Sequence, residues 1–160
     1  MTESEKLQYL LDMEEIRRLI ARYDFAFDGR DEDAYVECWV EDGFVERRNS
    51  KPSCRGYDQL RALVRDFPVN GRRVTTNILI DIDGDEARIR NYLLYLDMGP
   101  PCEVSMFGVW NDKVVRTASG WKFKERIFDP LSIRDYEVSP AFMAAVEKFE
   151  TAGSADAPSP

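Results

Sequence analysis

The side chains that could carry acid–base chemistry in this chain do not include histidine, because the sequence contains none. Histidine is the commonest general base and the commonest transition-metal ligand in proteins. The three cysteines, at positions 38, 54 and 102, lack a Cys-x-x-Cys spacing, so the sequence indicates neither a zinc site nor a disulfide framework. Phosphate-loop, Gly-x-Ser-x-Gly and calcium-loop spacings are also missing. Acid–base chemistry must therefore rest on carboxylates, Tyr, Lys, Cys or groups tuned by Arg.

Composition limits the classes of partner that we expect for this chain. A formal net charge of -8 would repel a phosphate backbone, and no stripe of Lys and Arg opposes it, so we expect no nucleic-acid partner. With 44% hydrophobic and 32% charged residues, the chain has globular values and is too often interrupted by charge for a membrane span. The polar start Thr2-Glu3-Ser4 does not resemble a secretory signal, which predicts a cytoplasmic protein without a membrane partner.

Helical periodicity dominates the first half of the sequence. Apolar residues recur at intervals of three and four from Glu5 to Phe27, which predicts a long amphipathic helix ended by Gly29. Asp31 is placed to cap a second, short helix reaching Gly43. A strand over 44–48, a loop, and a third helix around 60–67 that Pro68 ends complete this half.

The second half has the period of strands. Four segments, at 73–82, 87–97, 103–117 and 121–128, alternate or are β-branched, and turn signals such as Asp83-Gly84-Asp85 separate them. This order predicts an antiparallel meander with the helices on one face, which is the α+β class. A short helix near 141–149 should close a single domain over 1–150, followed by a disordered tail at 151–160.

The order of elements is that of a cone fold, and several stretches resemble SnoaL-like members of the nuclear transport factor 2-like superfamily. The stretches are Ile16 to Tyr23, Phe27-Asp28-Gly29-Arg30-Asp31, Glu41-Asp42-Gly43, Thr76-Asn77, Asp83 to Ala87, Gly108 to Asp112, and Gly120-Trp121 with Arg126. The resemblance spans roughly residues 10–128 and implies a cone-shaped, curved antiparallel sheet with three N-terminal helices packed on its concave face.

The superfamily includes scytalone dehydratase, steroid isomerase, bile-acid dehydratase, dehydrochlorinase, polyketide cyclases and the small subunits of ring-hydroxylating dioxygenases. One fold therefore carries many functions. The resemblance to the catalytic members implies cofactor-free proton transfer inside an apolar cone, without metal or cofactor.

Tyr23 and Asp28 stand where dehydratase-like members place a Tyr and an Asp that reach the pocket from the first helix. By this resemblance, the Tyr would protonate a leaving oxygen and the Asp would take a proton or orient a base. Five residues rotate an ideal helix by roughly 140°, so the two side chains share a face only if the helix ends near Asp28. The alternative is that Tyr23 is a core residue, while Asp28 pairs with Arg30 or caps a helix.

Arg73 stands where many catalytic relatives have a histidine, four residues before Asn77. An Arg does not normally act as a base, but it can stabilise an oxyanion. Three explanations stay open: Asp28 and Tyr23 react with Arg73 as support, another residue such as Glu103 is the base, or the domain is not catalytic. Arg73 could also be a strand-edge residue in solvent.

A further set of residues is predicted to bind the substrate, because aromatic rings would line an apolar pocket and polar groups would stand at its mouth or interior. These residues are Trp39, Phe44, Asn77, Tyr92, Tyr95, Phe107, Trp110 and Arg126. Each aromatic residue could instead belong to the core. Arg126 could bridge to a carboxylate or point inward to a substrate oxygen. Its strand parity is opposite to that of Trp121, so the sequence does not separate these two roles.

Two functions follow as hypotheses. The first is a cofactor-independent lyase or isomerase acting on a small aromatic or polycyclic hydroxylated substrate, with Tyr23, Asp28 and Arg73 as its catalytic residues. The second is a non-catalytic binding or assembly subunit, similar to a dioxygenase small subunit, which the missing histidine favours. In both cases we expect a homodimer or homotrimer, because an exposed face of a curved sheet needs a cover.

Overall fold

A computed structural model of the chain describes residues 1–48, 50–68 and 71–131. Its elements, in chain order, are α1 (Glu3–Asp28), α2 (Glu32–Glu37), β1 (Trp39–Arg47), β2 (Ser50–Arg55), α3 (Gly56–Asp66), β3 (Gly71–Asp83), β4 (Glu86–Asp97), β5 (Glu103–Thr117) and β6 (Gly120–Pro130). The helix expected near 141–149 and the tail at 151–160 lie outside the described residues.

The long first helix is confirmed, and its ends have clear physical causes. Thr2 and Glu5 form a reciprocal capping box at the start. At the other end, the N–H of Gly29 donates to the carbonyl of Phe25 at 2.9 Å. The left-handed residue that reverses the chain is Arg30, with φ 60°, and not Gly29, with φ -86°. The reversal brings Asp31 into position, where its side chain caps α2 by accepting from the N–H of Ala34 at 3.0 Å.

The second helix is shorter than the sequence predicts. It ends at Glu37, and Trp39 already pairs with Phe123 as the first residue of β1. Pairing with β6 in the folded sheet overrides the local helical period, which continues to Gly43. The segment assigned to a loop after β1 likewise contains a strand, β2, which pairs antiparallel with β1.

The six strands form one curved sheet in the order β2-β1-β6-β5-β4-β3, and the sheet is not closed. The expected meander from β3 to β6 is confirmed as antiparallel. One junction differs, because β1 pairs with β6 in parallel. The helices pack on the concave face, where α1 contacts both β3 and β6. The fold is therefore the expected α+β cone.

Bulges in β3 and β6 affect which of their side chains point into the cone. In β3, Asn77 and Ile78 stand between the paired residues Thr76 and Leu79, and Asn77 takes φ 54°. Asparagine tolerates this left-handed conformation better than most residues. In β6, Lys124 is the extra residue opposite β5. A bulge changes the face on which the following side chains lie. In each strand, residues of one parity before the bulge and of the other parity after it therefore point to the concave face.

Helix α1 is joined to the β5–β6 hairpin by a buried polar contact centred on Asp12. Its carboxylate accepts two hydrogen bonds from Arg116, at 2.6 and 2.8 Å, and one from the indole of Trp121 at 3.1 Å. Glu15 on the same helix accepts from the backbone N–H of Trp121 at 3.0 Å. Chiefly through the bonds from Arg116, the pKa of Asp12 falls from 3.8 to about 2.

Asp12→Asn is expected to lower the free energy of unfolding at pH 7 by about 2 kcal/mol, because it removes the charge that Arg116 binds. The folded pKa lies below the unfolded one. The contribution is therefore complete above about pH 4 and is lost as the pH falls towards 2. Urea unfolding at pH 7 and pH 3 measures it. The control Glu14→Gln removes an exposed pair with Arg18 and should cost less than about 0.5 kcal/mol. An equal loss in both variants would contradict this role.

Candidate functional site

Two carboxylates on α1 face two residues of β3 in matching order. Asp28 accepts from the backbone N–H of Arg73 at 2.9 Å and from its guanidinium Nη1. One turn earlier, Asp24 Oδ2 accepts from the hydroxyl of Thr75 at 2.7 Å. Four helical residues rise about 6 Å and two strand residues rise about 6.7 Å, so the two pairs are in register. We call these four residues the α1–β3 cluster.

The ion pair between Asp28 and Arg73 is buried, with side chains 9% and 4% exposed. Arg73 is therefore not a strand-edge residue in solvent, and Asp28 does not pair with Arg30. The guanidinium carbon of Arg73 lies 3.6 Å from the centre of the Phe27 ring. Both oxygens of Asp28 are occupied by Arg73. This carboxylate consequently fixes the position of Arg73.

Asp24 differs from Asp28 in having one free oxygen. Its Oδ1 is buried and has no hydrogen-bond partner. Burial raises the pKa of Asp24 above its usual value, against the opposing effects of Arg126, Thr75 and Arg73. A cleft of about 180 Å³ adjoins it and is lined by Asp24, Asp28, Arg73 and Thr75 among others. A carboxylate with a raised pKa and a free oxygen at a cleft has the properties of a general base.

Tyr23 points to a different part of the interior from Asp28. It is fully buried, and its hydroxyl lies 3.4 Å from the hydroxyl of Tyr35. Burial raises the pKa of Tyr35 well above its usual value, so Tyr35 stays protonated. The guanidinium carbon of Arg126 lies 4.1 Å from the centre of the Tyr23 ring. The structure thus groups Tyr23 with Arg126 and does not bring it into contact with Asp28.

Arg126 has the first of the two roles that the sequence left open, the bridge to a carboxylate. Through Nε and Nη2 it forms two hydrogen bonds of 2.9 Å with Asp112, and both side chains are fully buried. Asn91 donates to the same carboxylate at 3.3 Å. The third nitrogen, Nη1, is buried without a partner. The bulge at Lys124 explains why Arg126 and Trp121 both point inward despite their opposite parity in the sequence.

Buried polar atoms without partners are concentrated on inward-facing side chains. Among the described residues, five are N–H donors and two are oxygen acceptors. The donors belong to Trp39, Arg47, Arg73, Trp110 and Arg126, and the acceptors to Asp24 and Asn91. Each such atom loses free energy when it leaves water, unless a bound molecule or an ordered water satisfies it. The excess of donors suits a molecule rich in oxygen acceptors.

The residues predicted to bind substrate divide into two groups. Trp39, Tyr95, Trp110 and Arg126 are buried inside the cone. The other four do not belong to this buried group. Asn77 is exposed at its bulge, and the guanidinium of Arg55 lies over the ring of Phe44. Tyr92 contacts Phe107 on the outer face of the sheet, with ring centres 5.5 Å apart. Glu103, considered as an alternative base, is exposed. Strand alternation together with the β3 bulge accounts for the outward orientation.

Sequence reasoning missed Asp24, Thr75, Tyr35 and Arg47. The four-residue spacing of Asp24 and Asp28 was a visible signal, since such residues share one face of a helix. Arg47 shares a face with Val45, which strand alternation shows once β1 is known to be a strand. Thr75 and Tyr35 carried no signal that distinguishes them from ordinary strand and helix residues.

The model of the SnoaL-like domain matches residues 8–127. The chain belongs to this family. No curated protein matches its sequence significantly.

Solved structures of this SnoaL-like chain's relatives share its fold at low sequence identity. Rv3472 from Mycobacterium tuberculosis, a protein of unknown function, is 21% identical over 92% of this chain and 95% of its own, with a TM-score of 0.78. An NTF2-like protein with a cystatin-like fold from Novosphingobium aromaticivorans is 25% identical over 89% and 94%, with a TM-score of 0.75. A protein from the same organism, provisionally assigned as a scytalone dehydratase, is 23% identical over 82% and 91%, with a TM-score of 0.65.

Two further features concern residues 1–48, 50–68 and 71–131 of the SnoaL-like chain. No group of three or more Cys, Asp or Glu side chains is placed to hold a metal ion. None of the helices described there is long and apolar enough to cross a membrane.

Asp24→Asn is expected to leave stability at pH 7 unchanged or raised, because it removes a charge whose burial raises the pKa of Asp24. The folded pKa lies above the unfolded one. The wild type should therefore gain stability relative to the variant as the pH falls through the interval between them. Asp112→Asn should instead cost about 3 kcal/mol, since it leaves Arg126 buried without a carboxylate. Urea unfolding between pH 4 and 8 compares the two, and equal losses at pH 7 would contradict the distinction.

Proposed function

We propose that this SnoaL-like domain is a cofactor-independent lyase or isomerase that removes a proton from a small hydroxylated aromatic substrate. Two observations carry the proposal: the Oδ1 of Asp24 is buried without a hydrogen-bond partner, and Asp24 lines a cleft between α1 and β3. Burying a carboxylate oxygen without a partner is unfavourable for folding, but it gives a base that is poorly solvated and ready to accept a proton.

The size of the cleft bears on the substrate. At about 180 Å³ it exceeds the roughly 150 Å³ of an engineered cavity that holds benzene. This volume admits a compound with one ring and a short oxygenated side chain. The lining combines apolar groups such as Ile20 and Ile78 with the polar α1–β3 cluster. This mixture suits an amphipathic ligand whose oxygens meet the cluster.

In the proposed reaction, Asp24 takes a proton from the carbon next to a substrate carbonyl, and the electron pair moves to the carbonyl oxygen. Arg73 and Arg126 supply positive charge for the resulting enolate, and each has one unpartnered nitrogen. Collapse of the enolate expels a β-hydroxyl, which leaves as water after it receives a proton from an acid. Tyr23, the acid named from the sequence, lies against Arg126. Without a leaving group, return of the proton to another carbon gives an isomerase.

This assignment changes the roles expected of the first helix. Asp28, the expected base, becomes a positioning residue that holds Arg73 through two hydrogen bonds. Asp24 takes the role of base because its second oxygen is free. Arg73 keeps the supporting role, which it can fill because its charge persists throughout the pH range of enzymes.

Activity can be tested with a panel of hydroxylated single-ring aryl ketones in deuterated buffer, using NMR to follow deuterium incorporation and loss of water. Asp24→Asn is expected to lower kcat/KM by at least about 100-fold, as removal of a general base does. Asp28→Asn should reduce it less, because Arg73 is loosened but the base is kept. The matched control Asp33→Asn alters a surface carboxylate that is 82% exposed and should change nothing.

Full activity of Asp24→Asn would reject the proposed base. With the raised pKa of Asp24, the acid limb of the pH profile should lie above the ordinary carboxyl range. Tyr23→Phe tests the acid in the same assay. A deuterium exchange rate that survives in this variant while water loss stops would assign Tyr23 to the leaving group alone.

An assembly role is the second candidate, and the outer face of the sheet favours it. Val74 and Tyr92 are 43% and 37% exposed there, next to Leu94 and Phe107. We propose that a second copy of the chain covers this apolar face in a homodimer or homotrimer. Light scattering after gel filtration would measure the mass.

Tyr92→Glu is expected to shift the mass towards the monomer, since a carboxylate would be buried between copies. Tyr9→Glu changes a tyrosine of similar exposure, 39%, on helix α1 and should leave the mass unchanged. A monomeric wild type would reject the assembly.

A further inference from the structure

Arg47, the last residue of β1, is a buried arginine without a counter-ion. It is 9% exposed, and its Nη2 is buried without a hydrogen-bond partner. None of the ion pairs of the described residues includes Arg47, whereas buried Arg73 and Arg126 each bind a carboxylate. An uncompensated buried guanidinium strongly disfavours folding. This arrangement is expected where a charged ligand supplies the missing partner.

The surroundings of Arg47 are aromatic. Its guanidinium carbon lies 5.8 Å from the centre of the Phe27 ring and 5.2 Å from that of Phe67. Arg73 faces the same two rings, at 3.6 and 5.7 Å. Two guanidinium groups, each with an unpartnered nitrogen, therefore border one pair of phenyl rings. Asp28 pairs with Arg73, and Arg47 adds a positive charge that has no ion-pair partner among the described residues.

We propose that Arg47, together with the free Nε of Arg73, binds the carboxylate of a small aromatic acid whose ring packs against Phe27 and Phe67. Arginine suits this ligand because its planar fork matches a carboxylate and stacks on aromatic faces. The donor excess of the interior agrees with an acceptor-rich ligand. The inference rests on the proposed function to the extent that this acid is also the substrate class of the α1–β3 cleft.

Three probes separate charge from ring: benzoate, the neutral isostere benzamide, and acetate. Titration calorimetry on the full chain should show benzoate binding at least about tenfold more tightly than either of the other two, the range expected for a desolvated charge pair. Equal affinity for benzamide would overturn the role of the charge. Equal affinity for acetate would overturn the role of the rings.

Variants at two neighbouring positions locate the charge. Arg47→Met keeps an apolar stem and removes the guanidinium, and it should abolish the preference for benzoate over benzamide. Arg48→Met is the matched control, because Arg48 is 56% exposed and pairs with Asp129 at the surface. It should keep the preference within about twofold. A preference that survives in Arg47→Met would overturn the proposal.

Stability distinguishes a binding role from a structural one. Without any probe, Arg47→Met should melt at the same temperature as the wild type or higher, because an unpaired buried charge is gone. A lower melting temperature with unchanged benzoate binding would show that Arg47 supports the core and binds no ligand. Arg47→Lys keeps the charge and should retain part of the benzoate preference, which provides a second reading if Arg47→Met does not fold.

The same probes separate this inference from the proposed reaction. Asp24→Asn should bind benzoate at least as tightly as the wild type while it loses proton exchange. Benzoate binding that needs Arg47 in a protein without any exchange activity would keep the anion subsite and reject the reaction. Exchange on neutral ketones that persists in a protein whose benzoate binding does not depend on Arg47 would keep the reaction and reject the subsite.

Discussion

The contact between helix α1 and strand β3 is the constraint on which the rest of the site depends. A helix and a strand have different rises per residue, so side chains on them match only at particular spacings. Here a four-residue step on α1 coincides with a two-residue step on β3, and a carboxylate meets a donor at each point of contact. In the first contact, each oxygen of Asp28 accepts a hydrogen bond from Arg73. In the second, Asp24 accepts from Thr75 through Oδ2, and its Oδ1 has no hydrogen-bond partner. The proposed proton removal uses this free oxygen.

The buried charges inside the cone follow the same logic on a larger scale. Among the described residues, the arginines at 47, 73 and 126 and the aspartates at 24, 28 and 112 form two ion pairs with one another, between Asp28 and Arg73 and between Asp112 and Arg126. Asp24 and Arg47 are left without an ionic partner. A protein under selection for stability alone would be expected to pair them or replace them with apolar residues. In the functions proposed above, the unpaired carboxylate serves proton removal and the unpaired guanidinium serves anion binding.

The sequence predicted the elements with strong periodicity and the ends marked by turn chemistry. The long apolar stripe of α1 and the Asp83-Gly84-Asp85 turn both formed as expected. It failed where tertiary pairing overrides local pattern, as at Trp39, which extends β1 into a segment with helical period. Resemblance named Asp28 and Arg73 as candidates, and the structure places the two in contact. It could not reveal that Arg73 occupies both oxygens of Asp28, because the number of hydrogen bonds is a property of the packed structure.

The single extra residue in β6 has a consequence for how this interior could change. Downstream of Lys124, the face on which each side chain lies depends on the presence of that one residue. A one-residue deletion there would exchange the two faces of the strand's end: Arg126 and Phe128 would turn outward, and Ile127 would turn inward. An isoleucine would then replace a buried arginine on the inner face of β6 after a single deletion, while every other strand kept its composition. The chemistry of such an interior is thus encoded partly in chain length, and point substitutions alone would explore only part of what the fold can hold.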